Sequence, residues 1–306
     1  MFRFAVLMML VSNVYAADSA VDIDTAAKIY QAAAIREQVR ASLGSMPAQI
    51  RQLFARDVSV QLSEQQLAAV TAAAERGFRI DVFEAPALSA LAQNLDSATV
   101  TKTQAFLTSN LGRRMVAADV AAATLGATNI DKIMNGEISA PTTPKRDMIV
   151  EKLEHAARSS ESTVQVFLSM GQAVAVGTAI GSGQDPIAVG ERALKSGEAS
   201  SAALKEDMRV PMRRYLAYAY RTLSDSDLTH LLDFLESPAG KRFVTAYDAA
   251  MGAGYDAMGK RTGEQVGESL RELARAQLEE AQIQTPATNQ APPDIAAPAV
   301  PPDAPH

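Results

Sequence analysis

Apolar positions recur at three- and four-residue spacing along most of this chain, the period of α-helices that turn one face to a core. The pattern predicts a first helix from Thr25 to about Leu43, capped by Asp24 and stopped at Gly44. Pro47 opens a shorter helix carrying Ile50, Leu53 and Phe54. Ser63 with Gln66 three residues on forms a capping box, with Leu67, Val70 and Ala74 behind it and Gly77 at the end. Helices follow over Val82–Leu95, with Pro86 near the start, over Ser97–Thr108, and over Leu111–Leu125.

Pro141-Thr142-Thr143-Pro144 is an internal linker, and Thr143 caps a helix through Met148, Leu153 and Ala157. A long uncharged helix is expected from Ser162 to Ile180, then a Gly181-Ser182-Gly183 loop. Asp185 and Pro186 start another helix as cap and first residue. A helix from Ser201 to Leu223 is expected to break or kink at Pro211. The last region, Pro238 to Gln284, is weakened by Gly252, Gly254, Gly259 and Gly263. No stretch alternates apolar and polar residues between hairpin turns, so the expected fold is all-α.

The two ends differ from this middle. Residues 1–16 have one basic residue, Arg3, an apolar run Phe4–Val11, and a small residue, Ala16, before an acidic start. That is the pattern of a secretory signal peptide, and it predicts export to the periplasm or beyond. Residues 285–306 hold seven of the 14 prolines, a density no helix or sheet tolerates, so a disordered tail is expected.

Composition narrows the function classes. The chain carries 29 basic and 35 acidic side chains in 306 residues, against a nucleic-acid partner, which requires a basic face. Cysteine is absent, which removes disulfides, thiolate metal sites and cysteine nucleophiles. Tryptophan is absent too, and with aromatics at 5% stacking platforms are scarce. Ser162–Gln184 is long enough to span a bilayer but too rich in glycine and polar residues. It reads as a core helix, with Gly177 and Gly181 spaced for close helix packing, and no membrane span is expected after signal cleavage.

Candidate chemistry is thin. Glu151 and His155 lie one turn apart on a helix, but two ligands make an incomplete metal site, and no metal or other cofactor is expected. His230 with Asp233 and Arg242 is the remaining catalytic grouping, and no serine nucleophile elbow accompanies it. The Gly177–Gly183 string lacks the Gly-Lys-Ser/Thr ending of a phosphate loop.

The most informative feature is an internal repeat. Phe106-Leu107-Thr108-Ser109-Asn110-Leu111-Gly112-Arg113-Arg114 recurs, 128 residues on, as Phe234-Leu235-Glu236-Ser237-Pro238-Ala239-Gly240-Lys241-Arg242. Such self-similarity predicts two related helical halves, residues 17–138 and 139–284. Ser237 reads as the end of one helix and cap of the next, Pro238 as its first residue, and Gly240 as a point of close helix passage. Lys241 and Arg242 sit at the positive end of the new helix dipole, which calls for an acidic partner: Asp233, Glu236 or an external anion.

The second copy, with Leu223-Ser224-Asp225-Ser226-Asp227-Leu228 ahead of Phe234 and Ser237-Pro238-Ala239-Gly240-Lys241, resembles a bacterial family catalogued as domain of unknown function 2059. The first copy is a degenerate version, with Asn110 in place of the proline. The resemblance implies an all-helical exported protein, periplasmic or secreted from a Gram-negative bacterium, and brings no activity with it. Three readings stand: a noncatalytic protein acting through an envelope protein partner or envelope structure, a carrier of a lipid or apolar small molecule, and a hydrolase around His230, Asp233 and Arg242. A sizeable apolar cavity would favour the carrier.

Overall fold

The computed structural model describes residues 20–44, 46–56 and 62–284; the expected signal peptide and proline-rich tail lie outside them. Among the described residues there are thirteen helices and no strand. The first eight are α1 (Ile23–Ala32), α2 (Ile35–Leu43), α3 (Met46–Arg56), α4 (Glu64–Gly77), α5 (Ile80–Asn94), α6 (Ser97–Leu107), α7 (Asn110–Ala123) and α8 (Ala127–Asn135). The Pro141–Pro144 linker leads to α9 (Pro144–Ala156), α10 (Ser159–Ser182), α11 (Pro186–Ala219), α12 (Asp225–Glu236) and α13 (Pro238–Gln284).

Several helix starts sit where their chemistry predicts. Ser63 and Gln66 close the capping box of α4, and Ser224 and Asp227 that of α12. Thr143 and Asp185 cap α9 and α11, each followed by proline. Other expectations fail for identifiable reasons. The first helix is capped by Asp22 rather than Asp24, and it divides at Ala34, whose backbone is left-handed at φ 50°. α8 was not anticipated; Gly126 and Gly136, both at positive φ, delimit it. Pro211 does not break α11, which runs unbroken for 34 residues. The carbonyl that the proline ring leaves without a partner belongs to Asp207, a solvent-exposed residue. Gly181 and Ser182 belong to α10, and only Gly183 leaves it, with a left-handed φ of 78°.

The glycines of α13 do not interrupt it, because they are contact points. Gly263 and Gly267 press on the backbone of α10 at Val174 and Thr178, and Gly177 and Gly181 press back at Lys260 and Glu264. A Cβ at any of these four would overlap the opposite backbone. Each glycine costs about 1 kcal/mol of helix propensity, offset by the close approach it permits. α10 is long and apolar enough to cross a membrane by length and composition, and here it lies along α13.

Early and late helices share one interior. One core cluster joins Ile29 of α1, Val70 of α4 and Phe83 and Leu91 of α5 to Phe243, Ala246, Ala250 and Met258 of α13. A second joins Ala122 of α7 to Leu153, Leu216, Leu228 and Val244. Helix pairing repeats as well: α1 packs on α5 and α6, as α9 packs on α11 and α12. Ala34 before α2 and Arg158 before α10 are the non-glycine residues at positive φ among those described.

Candidate functional site

The repeated motif forms the same corner twice. Ser109 Oγ accepts a hydrogen bond from the Gly112 N–H at 3.0 Å and donates to the Phe106 carbonyl at 2.6 Å. Ser237 does the same with Gly240 and Phe234, at the same distances. Gly112 and Gly240 lie so close to the carbonyls of Phe106 and Phe234 that a Cβ would collide with them. Serine and glycine are thus set by backbone needs, as the sequence suggested.

The corners also meet. The rings of Phe106 and Phe234 stack with centroids 3.9 Å apart and planes 2° from parallel. Arg114, of the first copy, grips Asp227 in the first turn of α12 with two hydrogen bonds, at 2.6 and 3.0 Å. Arg242, in the matching position of the second copy, reaches Asp96, the cap of α6, at 3.1 Å. Each copy therefore lends its arginine to the helix start of the other, the reciprocal pattern of an isologous interface. This corrects the expectation for Arg242: its partner is Asp96, while Asp233, Glu236 and Lys241 are exposed. The arginine beside Asp227, with its bonds to Ser224, holds that carboxyl well below the usual range.

Beside this junction a cavity of about 300 Å³ opens, lined chiefly by α7, α10, α11, α12 and α13. Matching positions of the two copies face it: Leu107 with Leu235, Met115 with Phe243, and Val116 with Val244. Asp119 of α7 breaks the match, since its counterpart 128 residues on is Tyr247. Tyr215 of α11 and Tyr220, just past its end, complete the aromatic wall. A second chamber of about 350 Å³ shares Ser162, Thr163, Tyr247 and Asp248 with the first and is lined by Met46, Met170 and Met251. No Lys, Arg or His lines either chamber among the described residues.

The two acids in this space differ. Asp248 accepts from the Ser162 hydroxyl at 2.6 Å and pairs with Arg158 at 3.7 Å. Burial raises its carboxyl above the ordinary value, against the pull of that hydroxyl and that arginine. Asp119 has no ion pair among the described residues. Burial pushes its carboxyl up to about 7, opposed by the neighbouring Tyr220 hydroxyl. Burial likewise pushes the Tyr215 phenol up to about 12 and holds Tyr220 and Tyr247 well above the usual phenol range. Tyr247 donates to Gln38 Oε1 at 3.4 Å.

Sequence reasoning did not single out Asp119. The available signal was a lone acid on the apolar stripe of Met115, Val116 and Ala122, seen when the repeat register is extended past Arg114. The residues it did single out lie elsewhere. His230 and Asp233 are exposed on α12, and neither they nor Arg242 line either chamber. Glu151 is held by Arg213 at 2.7 Å, and His155 Nδ1 accepts from Arg209 at 3.0 Å. No cluster of three metal-binding side chains occurs among the described residues. The Gly177–Gly183 string is helix packing and a helix end, not a phosphate cradle.

No curated protein and no solved structure matches this chain. Residues 206–268, from the second half of α11 through the Ser237 corner into α13, match the model of a bacterial family described as an uncharacterized protein conserved in bacteria, DUF2059.

Proposed function

We propose that this protein is a noncatalytic carrier of an apolar small molecule or lipid chain, exported to the bacterial envelope. The observation that carries the reading is the pair of adjoining chambers, about 300 and 350 Å³. Their combined space is in the range of small-ligand sites, and their walls are chiefly apolar and aromatic. Methionines at Met46, Met170 and Met251 supply an unbranched, adaptable surface suited to flexible chains. Export rests on the leader pattern of residues 1–16.

Native mass spectrometry of the protein purified gently from its own cells tests the reading. A small mass released on denaturation is expected. A variant with the shared wall filled at a part-buried position, Ser162→Trp, should lose that mass and keep its helical circular dichroism. A bare wild-type protein that also fails to take up the neutral dye 1-N-phenylnaphthylamine refutes the carrier.

A protein-partner role has its own support. Phe167, Ile180, Ile187 and Leu194 on α10 and α11 are 41–70% exposed, more large apolar surface than helix packing requires. A discrete oligomer or protein adduct in the same spectra would favour that role.

A further inference from the structure

We infer that the cavity selects amphiphiles with a cationic head, an alkylamine or quaternary ammonium, seated against Asp119 and the tyrosines Tyr215, Tyr220 and Tyr247, with the apolar tail in the methionine-lined chamber. The inference rests on the carrier reading and adds the ligand's charge.

Three features carry it. First, Asp119 is the acid of the cavity without a cationic side chain, whereas Asp248 has Arg158 at 3.7 Å. An isolated carboxylate in apolar surroundings is costly, and burial does raise its proton affinity. A ligand cation supplies the missing countercharge. Second, the aromatic wall stands with it: Tyr215, Tyr220, Phe243 and Tyr247 line the same chamber. Aromatic faces attract ammonium groups, most strongly where water is excluded. Third, the walls of both chambers carry Asp119 and Asp248 and no basic residue, so an anionic head such as a fatty carboxylate would meet repulsion and find no partner.

The cavity is polar at one place and apolar beyond it. Tyr247 and Asp248 line both spaces, which therefore adjoin, so the tail of a molecule held at Asp119 is directed toward Met170 and Met251. The repeat explains the asymmetry. At the position where the first copy has Asp119 the second has Tyr247, and where the second has Tyr215 and Tyr220 the first has Ala87 and Ala92.

The test is displacement of 1-N-phenylnaphthylamine from the full chain by three probes of equal tail length at submicellar concentration. They are dodecyltrimethylammonium, dodecanol and dodecanoate. The ammonium should displace the dye at a concentration at least 10-fold lower than dodecanol, with dodecanoate weakest. Asp119→Asn should bring the ammonium to the level of dodecanol and keep dye binding, which also reports an intact cavity. Glu236→Gln, an equal charge loss at an exposed site, should change nothing. Equal displacement by ammonium and alcohol, or an Asp119→Asn variant that keeps the preference, overturns the cationic head and leaves the carrier standing. Absence of dye binding by the wild type overturns both.

Discussion

Phe106 and Phe234 occupy the same place in two copies of one motif, and their rings lie flat against each other 3.9 Å apart at 2°. A side chain that packs on its own counterpart marks the point where the two copies of the motif meet. The stack joins both core clusters, since each ring contacts both. Phe106→Ala and Phe234→Ala are each expected to lower stability by about 2–3 kcal/mol, below the full core cost because both rings are only part-buried. The double variant should lose about 1 kcal/mol less than the sum, the coupling of an aromatic pair. Urea denaturation of the four proteins measures it. Strict additivity would mean the rings fill space independently.

The crossed ion pairs predict a response to acid. Asp227 is held below its ordinary pKa by Arg114 first and by its bonds to Ser224 second. Asp96 is lowered chiefly by the Thr99 N–H it caps, with Arg242 contributing. A carboxyl with a depressed folded pKa stabilises above its unfolded value, about 3.9, and that stability disappears as pH falls through the folded value. Asp227→Asn should therefore cost about 1 kcal/mol at pH 7, from the lost cap charge and the Arg114 pair, and clearly less at pH 2, where the unfolded carboxyl is protonated and the folded one begins to be. Thermal melts of both proteins at the two values decide it. A penalty of the same size at both values would assign the residue to packing.

Local chemistry was readable in the sequence and long-range geometry was not. The corners at Ser109 and Ser237, the caps at Ser63, Thr143 and Asp185, and the tight spacing at Gly177 and Gly181 involve neighbours along the chain or one helix face, and pattern exposes such things. Ala34 gave no warning, because alanine favours helix and only tertiary packing holds it left-handed. The Arg242–Asp96 pair was out of reach for a different reason. Periodicity names a residue's face but not which of thirteen helices covers it, so nearby acids were favoured over the distant one. The cavity needed the same missing information, since α2, α6, α7, α10, α11, α12, α13 and the helix junctions each give it only a few side chains.

Glycine carries opposite meanings within the long helices. At Gly263 a Cβ would strike the Val174 carbonyl, whereas at Gly171 and Gly252 it would meet nothing within 4 Å. Gly263→Ala should thus lower stability by about 1–3 kcal/mol, because α10 and α13 must separate to admit the methyl. Gly171→Ala and Gly252→Ala should raise it by up to about 1 kcal/mol through helix propensity alone. Opposite signs in one set of denaturation curves would locate the contact. Stabilisation by all three would mean the helices are not in close contact at Gly263.

Asp119 reverses the acid response of Asp227. Desolvation raises its folded pKa to about 7 from an ordinary 3.8, so the folded chain holds a proton that the unfolded chain has released. Stability contributed by this residue is unaffected below about pH 4, declines as pH rises toward 7, and levels off above. The phenols facing it, Tyr215, Tyr220 and Tyr247, titrate far above this window and stay neutral throughout. Asp248, also raised by burial, is unchanged in an Asp119 variant and adds the same slope to both curves. Asp119→Asn should match the wild type near pH 3.5 and exceed it by on the order of 3 kcal/mol by pH 7.5. Denaturant titrations at half-unit pH intervals trace the difference. Parallel curves for the two proteins would show the carboxyl to be solvated, and would remove the unpaired charge from the cavity.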